Sequence, residues 1–142
     1  MLSPVANAAR SHAFTASYRG NGAGETSGSA ASGSATLPGR GTVIGASTLQ
    51  GSVHGVFRSR NCIVFSGRAV LEGAAGSIFL RGHNATACAQ AANADVVSFT
   101  GHGTVTGGSG VFAGASGSVS FSGTYARQTG AVKIALDGEL VY

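Results

Sequence analysis

The sequence predicts an all-β domain, an antiparallel up-and-down β-barrel of about eight strands. Three observations lead there. Apolar residues recur with a period of two, and no segment shows the 3.6-residue period of a helix. Clusters of Gly and Ser cut the chain into strand-length pieces. One phrase is also written three times, spanning Gly39–Gly55, Gly67–Gly82 and Gly101–Gly123. It reads Gly, a basic residue or His, two further residues, Val or Leu, one more residue and Gly, with Gly-Ser-Val/Ile following after a variable gap. That is a strand, a connection and a returning strand. Many hairpin-linked strands make either a sandwich or a barrel, and only a closed barrel leaves no unpaired edge.

Length and composition bound the chain to one folded domain. It has 142 residues, 43% of them hydrophobic, 10% charged and 24 of them Gly. So much regularly spaced apolar content excludes a disordered chain. The net charge of +4 comes from nine basic and five acidic residues. In sequence the bases are dispersed, with only Arg58 and Arg60 close together, and there is no Trp. A nucleic-acid surface concentrates charge and interleaves aromatics, so no nucleic-acid partner is expected. No stretch is long and apolar enough for a membrane span.

In chain order, residues 1–12 read as the remains of a leader, and residues 13–142 as the barrel domain. Val5-Ala6-Asn7-Ala8 ends in the Ala-x-Ala pattern of signal-peptidase sites. Ala13–Tyr18 alternates and opens the first strand. Gly20–Pro38 is low in complexity and reads either as a loop or as a thin strand of small residues under bulkier ones. Strands then follow at about 40–47, 50–57, 60–72, 76–84, 95–106, 117–126 and 131–141. Thr86–Ala94 is the one helix-friendly piece, enough for a single turn.

Alternation assigns faces. It turns Val43, Val53, Ile63, Phe65, Ala69 and Leu71 inward, followed by Ile78, Leu80, Val105, Val119, Phe121 and Tyr125. On the last strand Val132, Ile134, Leu136, Leu140 and Tyr142 point in. Arg40, His54, Arg68, Glu72, Phe79, Arg81, His83, His102, Lys133, Asp137 and Glu139 point out. An enzyme working by acid–base chemistry inside the barrel needs an inward His, Asp or Glu. The clear strands supply none, which weighs against an enzyme.

Two cysteines, Cys62 and Cys88, fit either a disulfide in an exported protein or two buried thiols. The Ala-x-Ala site favours the disulfide and a secreted or periplasmic location. Four histidines lack ligand spacing, so no metal is expected, and nothing implies a cofactor. The Gly runs at Gly101–Gly103 and Gly107–Gly110 stand between strands, whereas phosphate loops join a strand to a helix. No nucleophile elbow opens a helix, although the many serines leave a Ser-His-Asp grouping open. Asn84-Ala85-Thr86 has the form of a glycosylation acceptor. The outward Ser118, Ser120, Ser122 and Thr124 form a hydroxyl row of the kind that either binds carbohydrate or ice or is simply a soluble strand face.

The string Val105-Thr106-Gly107-Gly108-Ser109-Gly110-Val111-Phe112-Ala113-Gly114-Ala115-Ser116-Gly117 resembles a Gly-rich segment of allene oxide cyclases, dirigent proteins and their bacterial barrel relatives. The resemblance covers residues 95–126 well and the remainder only in strand rhythm. It implies an eight-stranded antiparallel barrel with a largely apolar cavity, a hairpin at the motif, and Phe112 tucked under the barrel end. It carries no catalytic position across: the plant cyclases' Glu has no counterpart here, since Glu25 and Glu72 match no family motif. The expectation is a secreted barrel that binds a small apolar ligand among Phe14, Tyr18, Phe65, Phe99, Phe121 and Tyr125. The alternatives are a non-catalytic extracellular structural protein with a packed interior, and a cyclase or isomerase acting on a hydrophobic substrate.

Overall fold

Period-two patterning resolves, in the computed structural model, into eight antiparallel strands; the structure describes residues 9–91 and 94–142. They are β1 (Ser11–Ser27), β2 (Ala30–Gly41), β3 (Gly45–Phe57), β4 (Cys62–Gly73), β5 (Ser77–Ala89), β6 (Val96–Gly108), β7 (Ser116–Ala126) and β8 (Ala131–Val141). Each strand pairs with the next along the chain. The barrel closes where β1 meets β8, from Ser11 opposite Val141 to Asn21 opposite Ala131. The thrice-written phrase lies at the β2–β3, β4–β5 and β6–β7 connections, all at one end of the barrel.

That end is closed by side chains. Phe14, Leu37, Leu71, Ile78, Phe112 and Leu140 are each no more than 1% exposed and form one core with Tyr18, Leu49, Val105, Val119 and Leu136. Phe112 comes from a short 3-10 turn, Gly110–Phe112, in the β6–β7 connection. It packs edge-on against Tyr142 with ring centroids 5.1 Å apart. The turn docks on the β4–β5 connection, where the Val111 amide donates to the Ala75 carbonyl at 3.1 Å. Gly110 holds a left-handed φ of 60°, which glycine adopts without steric cost, and a side chain there would strike the Ala75 carbonyl.

Inward aromatics sit directly opposite inward glycines on neighbouring strands. Tyr18 faces Gly39, Phe65 faces Gly55, Phe99 faces Gly123, and Phe121 faces Gly101. Each glycine leaves the space its neighbouring ring occupies. A Cβ on Gly101 would stand 2.5 Å from Phe121 Cζ and 2.6 Å from Ala85 Cβ.

Several local expectations are corrected. The β2–β3 turn falls at residues 42–44, not near residue 48, and β3 is one strand from Gly45 onward. Thr42 anchors it: its amide donates to the Thr15 carbonyl at 2.7 Å, and its hydroxyl accepts the Thr15 amide at 3.0 Å. Val43 therefore occupies the turn at φ 69° and is exposed, while Ile44 takes the buried place. Thr86–Ala89 is strand, not helix. Ala85 pairs with Phe65 and Ala87 with Phe99, so small inward residues beneath large rings override local helix preference. Gly20–Pro38 is strand on both sides of the Gly28 turn. The barrel also begins before residue 13: Ser11 and His12 belong to β1, and His12 stacks on Tyr142 at 4.4 Å. The Ala-x-Ala site at residues 5–8 lies outside the described residues.

Substituting Gly101→Ala is expected to destabilise the fold by about 1–3 kcal/mol through overpacking. A double-mutant cycle with Phe121→Ala, read by chemical denaturation, should give a coupling of at least ~0.5 kcal/mol; strict additivity would refute the ring–glycine pairing as the source.

Candidate functional site

The lumen away from Phe112 is not filled, and a cavity of about 480 Å³ occupies it. Its two sides differ in kind. Phe65 on β4, Phe99 on β6 and Phe121 on β7 form a triangle of rings, each pair of centroids 6.4 Å apart. Across from them β1, β2 and β3 present Gly22, Gly24, Gly33, Ala35 and Gly51. The low-complexity stretch is therefore the thin wall of the cavity. Its inward positions alternate Gly20, Gly22, Gly24, and strand pairing holds them in place although they bring no side chains to pack. A Cβ on Gly24 would lie 3.3 Å from the Tyr125 hydroxyl, so Tyr125 reaches across toward this wall.

Of the six aromatic residues expected around a ligand, Phe65, Phe99, Phe121 and Tyr125 line the cavity. Phe14 and Tyr18 do not. They lie in the first half of β1, at 1% and 2% exposure, within the packed closed end. There the Tyr18 hydroxyl meets the Ser47 hydroxyl at 2.7 Å, and Ser47 donates to the Gly45 carbonyl at 3.0 Å. Burial raises the Tyr18 pKa above the ordinary tyrosine value, with the Ser47 hydrogen bond partly offsetting it.

The mouth is built from the connections opposite the closed end. Phe57, Arg60, Asn61 and Arg127 reach the cavity there. The Arg127 guanidinium donates to the Ala94 carbonyl, and the Asp95 carboxylate accepts the Gln128 amide at 2.8 Å. Cys62 and Cys88 are direct cross-strand partners joined by a disulfide, with Cα atoms 4.1 Å apart. Their neighbours tie the rim together, since the Ala89 amide donates to the Asn61 carbonyl at 2.8 Å. The Asn61 side-chain oxygen is buried at this rim with no hydrogen-bond partner among the described residues. No sequence pattern singles Asn61 out; its place follows from the strand register that brings the two cysteines together.

Glu25 and His54 border the cavity, and strand alternation, with Gly24 and Val53 facing inward beside them, turns their side chains outward. The one inward His among the described residues, His12, stacks on Tyr142 at the closed end. On the outer face His102, Ser120 and Asp137 are successive cross-strand neighbours beside a shallow groove. A hydrolytic triad needs the imidazole between the hydroxyl and the carboxylate. Here the serine is in the middle, and no hydrogen bond links the three, so the order excludes that relay. No group of three or more metal-ligating side chains occurs among the described residues.

Fold and site together define a closed eight-stranded antiparallel barrel, plugged at one end and open to an apolar chamber at the other. Compared with known proteins, the chain matches no family model, no curated protein and no solved structure.

Replacing both cysteines with serine is expected to cost about 3 kcal/mol of stability, from the lost constraint on the unfolded chain, measured by urea denaturation with and without reductant on the parent protein. An unchanged midpoint would exclude a bridge in solution. Tyr18 also sets an alkaline limit. Its raised pKa means its contribution is fully present below the unfolded tyrosine value of ~10 and is lost as pH rises through the higher folded value. Stability measured from pH 9 to 11 should therefore fall, and Tyr18→Phe should flatten the fall at a cost of ~1 kcal/mol at neutral pH.

Proposed function

We propose that this barrel binds one small, predominantly apolar molecule in its lumen, admitted through the mouth at Phe57, Arg60 and Asn61. The observation that carries the reading is the chamber of about 480 Å³ between three phenyl rings and a glycine-rich wall. Small-molecule sites occupy roughly 300–1,000 Å³ and are lined mainly by apolar groups with a few polar ones. An eight-stranded barrel is just wide enough either to fill itself with side chains or to hold one small ligand. Here glycine and alanine stand where Val or Leu would close the space, and an empty apolar volume costs stability unless something occupies it. This favours a binding protein over a structural one with a packed interior.

The unpartnered Asn61 oxygen adds a polar requirement. A hydrogen-bond donor on the bound molecule, such as a hydroxyl, would satisfy it where solvent meets the chamber. Turnover is the weaker reading: Glu25 and His54 border the cavity, but they alternate with the inward Gly24 and Val53, and among the described strand residues the Tyr125 phenol is the ionisable group that alternation turns into the chamber. The resemblance of Gly107–Gly117 to allene oxide cyclase and dirigent-like barrels supports the same assignment. That segment forms the plug, with Phe112 buried at its centre. The cross-strand disulfide supports export to an oxidising compartment.

Native mass spectrometry of the mildly purified protein and titration with N-phenyl-1-naphthylamine, an apolar fluorescent probe, test the reading. The parent protein should take up one equivalent. A Gly51→Val/Ala69→Leu double variant, which fills the chamber, should lose at least tenfold in probe affinity with no loss of melting temperature. A Cβ on Gly51 meets nothing closer than 3.4 Å, so the site has room for one. Absence of uptake by the parent, or uptake untouched by filling, would sink the reading.

A further inference from the structure

Bases that are dispersed in sequence converge on the outer face of β3–β6. Arg68 on β4 and Arg81 on β5 are direct cross-strand partners, and both are exposed. Neither guanidinium has a hydrogen-bond or ion-pair partner among the described residues. Like charges directly opposite on a sheet are destabilising. Beside the pair runs a row holding three of the protein's four histidines, His54, His83 and His102. His54 is the cross-strand partner of Ser66, and His83 of His102.

The surroundings of each imidazole are hydroxylic or basic. His54 is faced by Ser32 on β2 and Ser66 on β4, with Arg68 on the diagonal. His83 is faced by His102 and bonds Thr104 at 3.1 Å, with Arg81 two residues along its own strand. His102 is faced by His83 and, on β7, by Ser120. The acids closest in register are Glu25, on β1 beyond Ser32, Asp137 and Glu139, on β8 beyond Ser120 and Ser118, and Glu72 further along β4. Phe79 lies two residues from Arg81 and keeps 38% of its surface exposed on this side.

We propose that this face binds an acidic polysaccharide, with sulfate or carboxylate groups seated on Arg68 and Arg81 and sugar hydroxyls met by Ser66, Thr104 and Ser52. Imidazoles gain charge on mild acidification, so His54, His83 and His102 strengthen the attraction as pH falls. Charge complementarity fixes the sign of the partner. One exposed ring, in place of a series of stacking platforms, favours a saccharide over a single-stranded nucleic acid. Strand alternation turns these side chains away from the lumen, although Ser52, His54 and Arg68 also border the chamber in the strand wall.

The protein provides an internal control. Arg19 and Lys133 are also direct cross-strand partners, on the β1–β8 seam, with no histidine in their row. Dextran sulfate is the probe, with neutral dextran and duplex DNA as comparison arms, at pH 5.5 and 7.5 and ~50 mM salt. The parent should bind dextran sulfate, more tightly at pH 5.5, and ignore neutral dextran. Arg68→Gln/Arg81→Gln should weaken binding ~10-fold or more, while Arg19→Gln/Lys133→Gln, with the same loss of charge, should change it less than ~3-fold. A His54→Gln/His83→Gln/His102→Gln variant should lose the pH dependence. Melting temperatures distinguish lost binding from lost folding, and removal of the like-charged pair should leave them unchanged or raised. Absence of binding by the parent, equal losses in the two double variants, or tighter binding of DNA than of dextran sulfate would overturn the proposal.

Discussion

Everything inside this barrel depends on the pairing of an inward ring with an inward glycine on the adjacent strand. Tyr18 with Gly39, Phe65 with Gly55, Phe99 with Gly123 and Phe121 with Gly101 are all direct partners. A residue with a Cβ in place of any of these glycines collides with the ring or with the backbone behind it. Each ring can then lie close to the sheet, and three of them meet at equal spacing on one side of the lumen. With the rings held to one side, the wall across from them can be bare, and the space between becomes a chamber.

Two halves of the same tube consequently behave differently. At the closed end the inward residues are mainly Leu, Ile, Val and Phe, joined by Ala16 and Tyr18, and they pack into one buried core. Toward the mouth the lining mixes Leu, Ile and Val with glycine, alanine and four aromatic residues, and volume is left unfilled. The rim there is reinforced covalently at Cys62–Cys88 and by the hydrogen bond between Ala89 and Asn61. The open half thus gains rigidity from its border, where the closed half gains it from its core.

The architecture was largely legible in the sequence because alternation is a local signal. Ile63, Leu71, Ile78 and Leu136 point where period two sends them, and the cysteine pair joins as its context indicated. What was not legible depends on partners distant in sequence. Thr86–Ala89 has helix-friendly composition, and only its pairing with Phe65 and Phe99 makes it strand. Val43 continues the apolar alternation, yet the Thr42 latch onto Thr15 places the turn there. The cavity was legible in its rings at Phe65, Phe99, Phe121 and Tyr125. Phe14 and Tyr18 are chemically the same kind of residue, and only their height in the barrel separates core from chamber. The grouping of Arg68 and Arg81 likewise emerges from register, since thirteen residues stand from one to the other along the chain.

The seam between β1 and β8 differs from every other in the sheet. Seven seams join strands that follow one another along the chain, so each can form as a local hairpin. The eighth brings Ser11 to Val141 and must recruit almost the whole domain before its first hydrogen bond forms. Chain-closure entropy is largest at that one step, so contact order alone places it last among the seams. The seam also juxtaposes Arg19 with Lys133, a repulsive pair at the joint that closes last. Seven seams of this vessel are written into neighbouring stretches of chain, and one is written into its two ends.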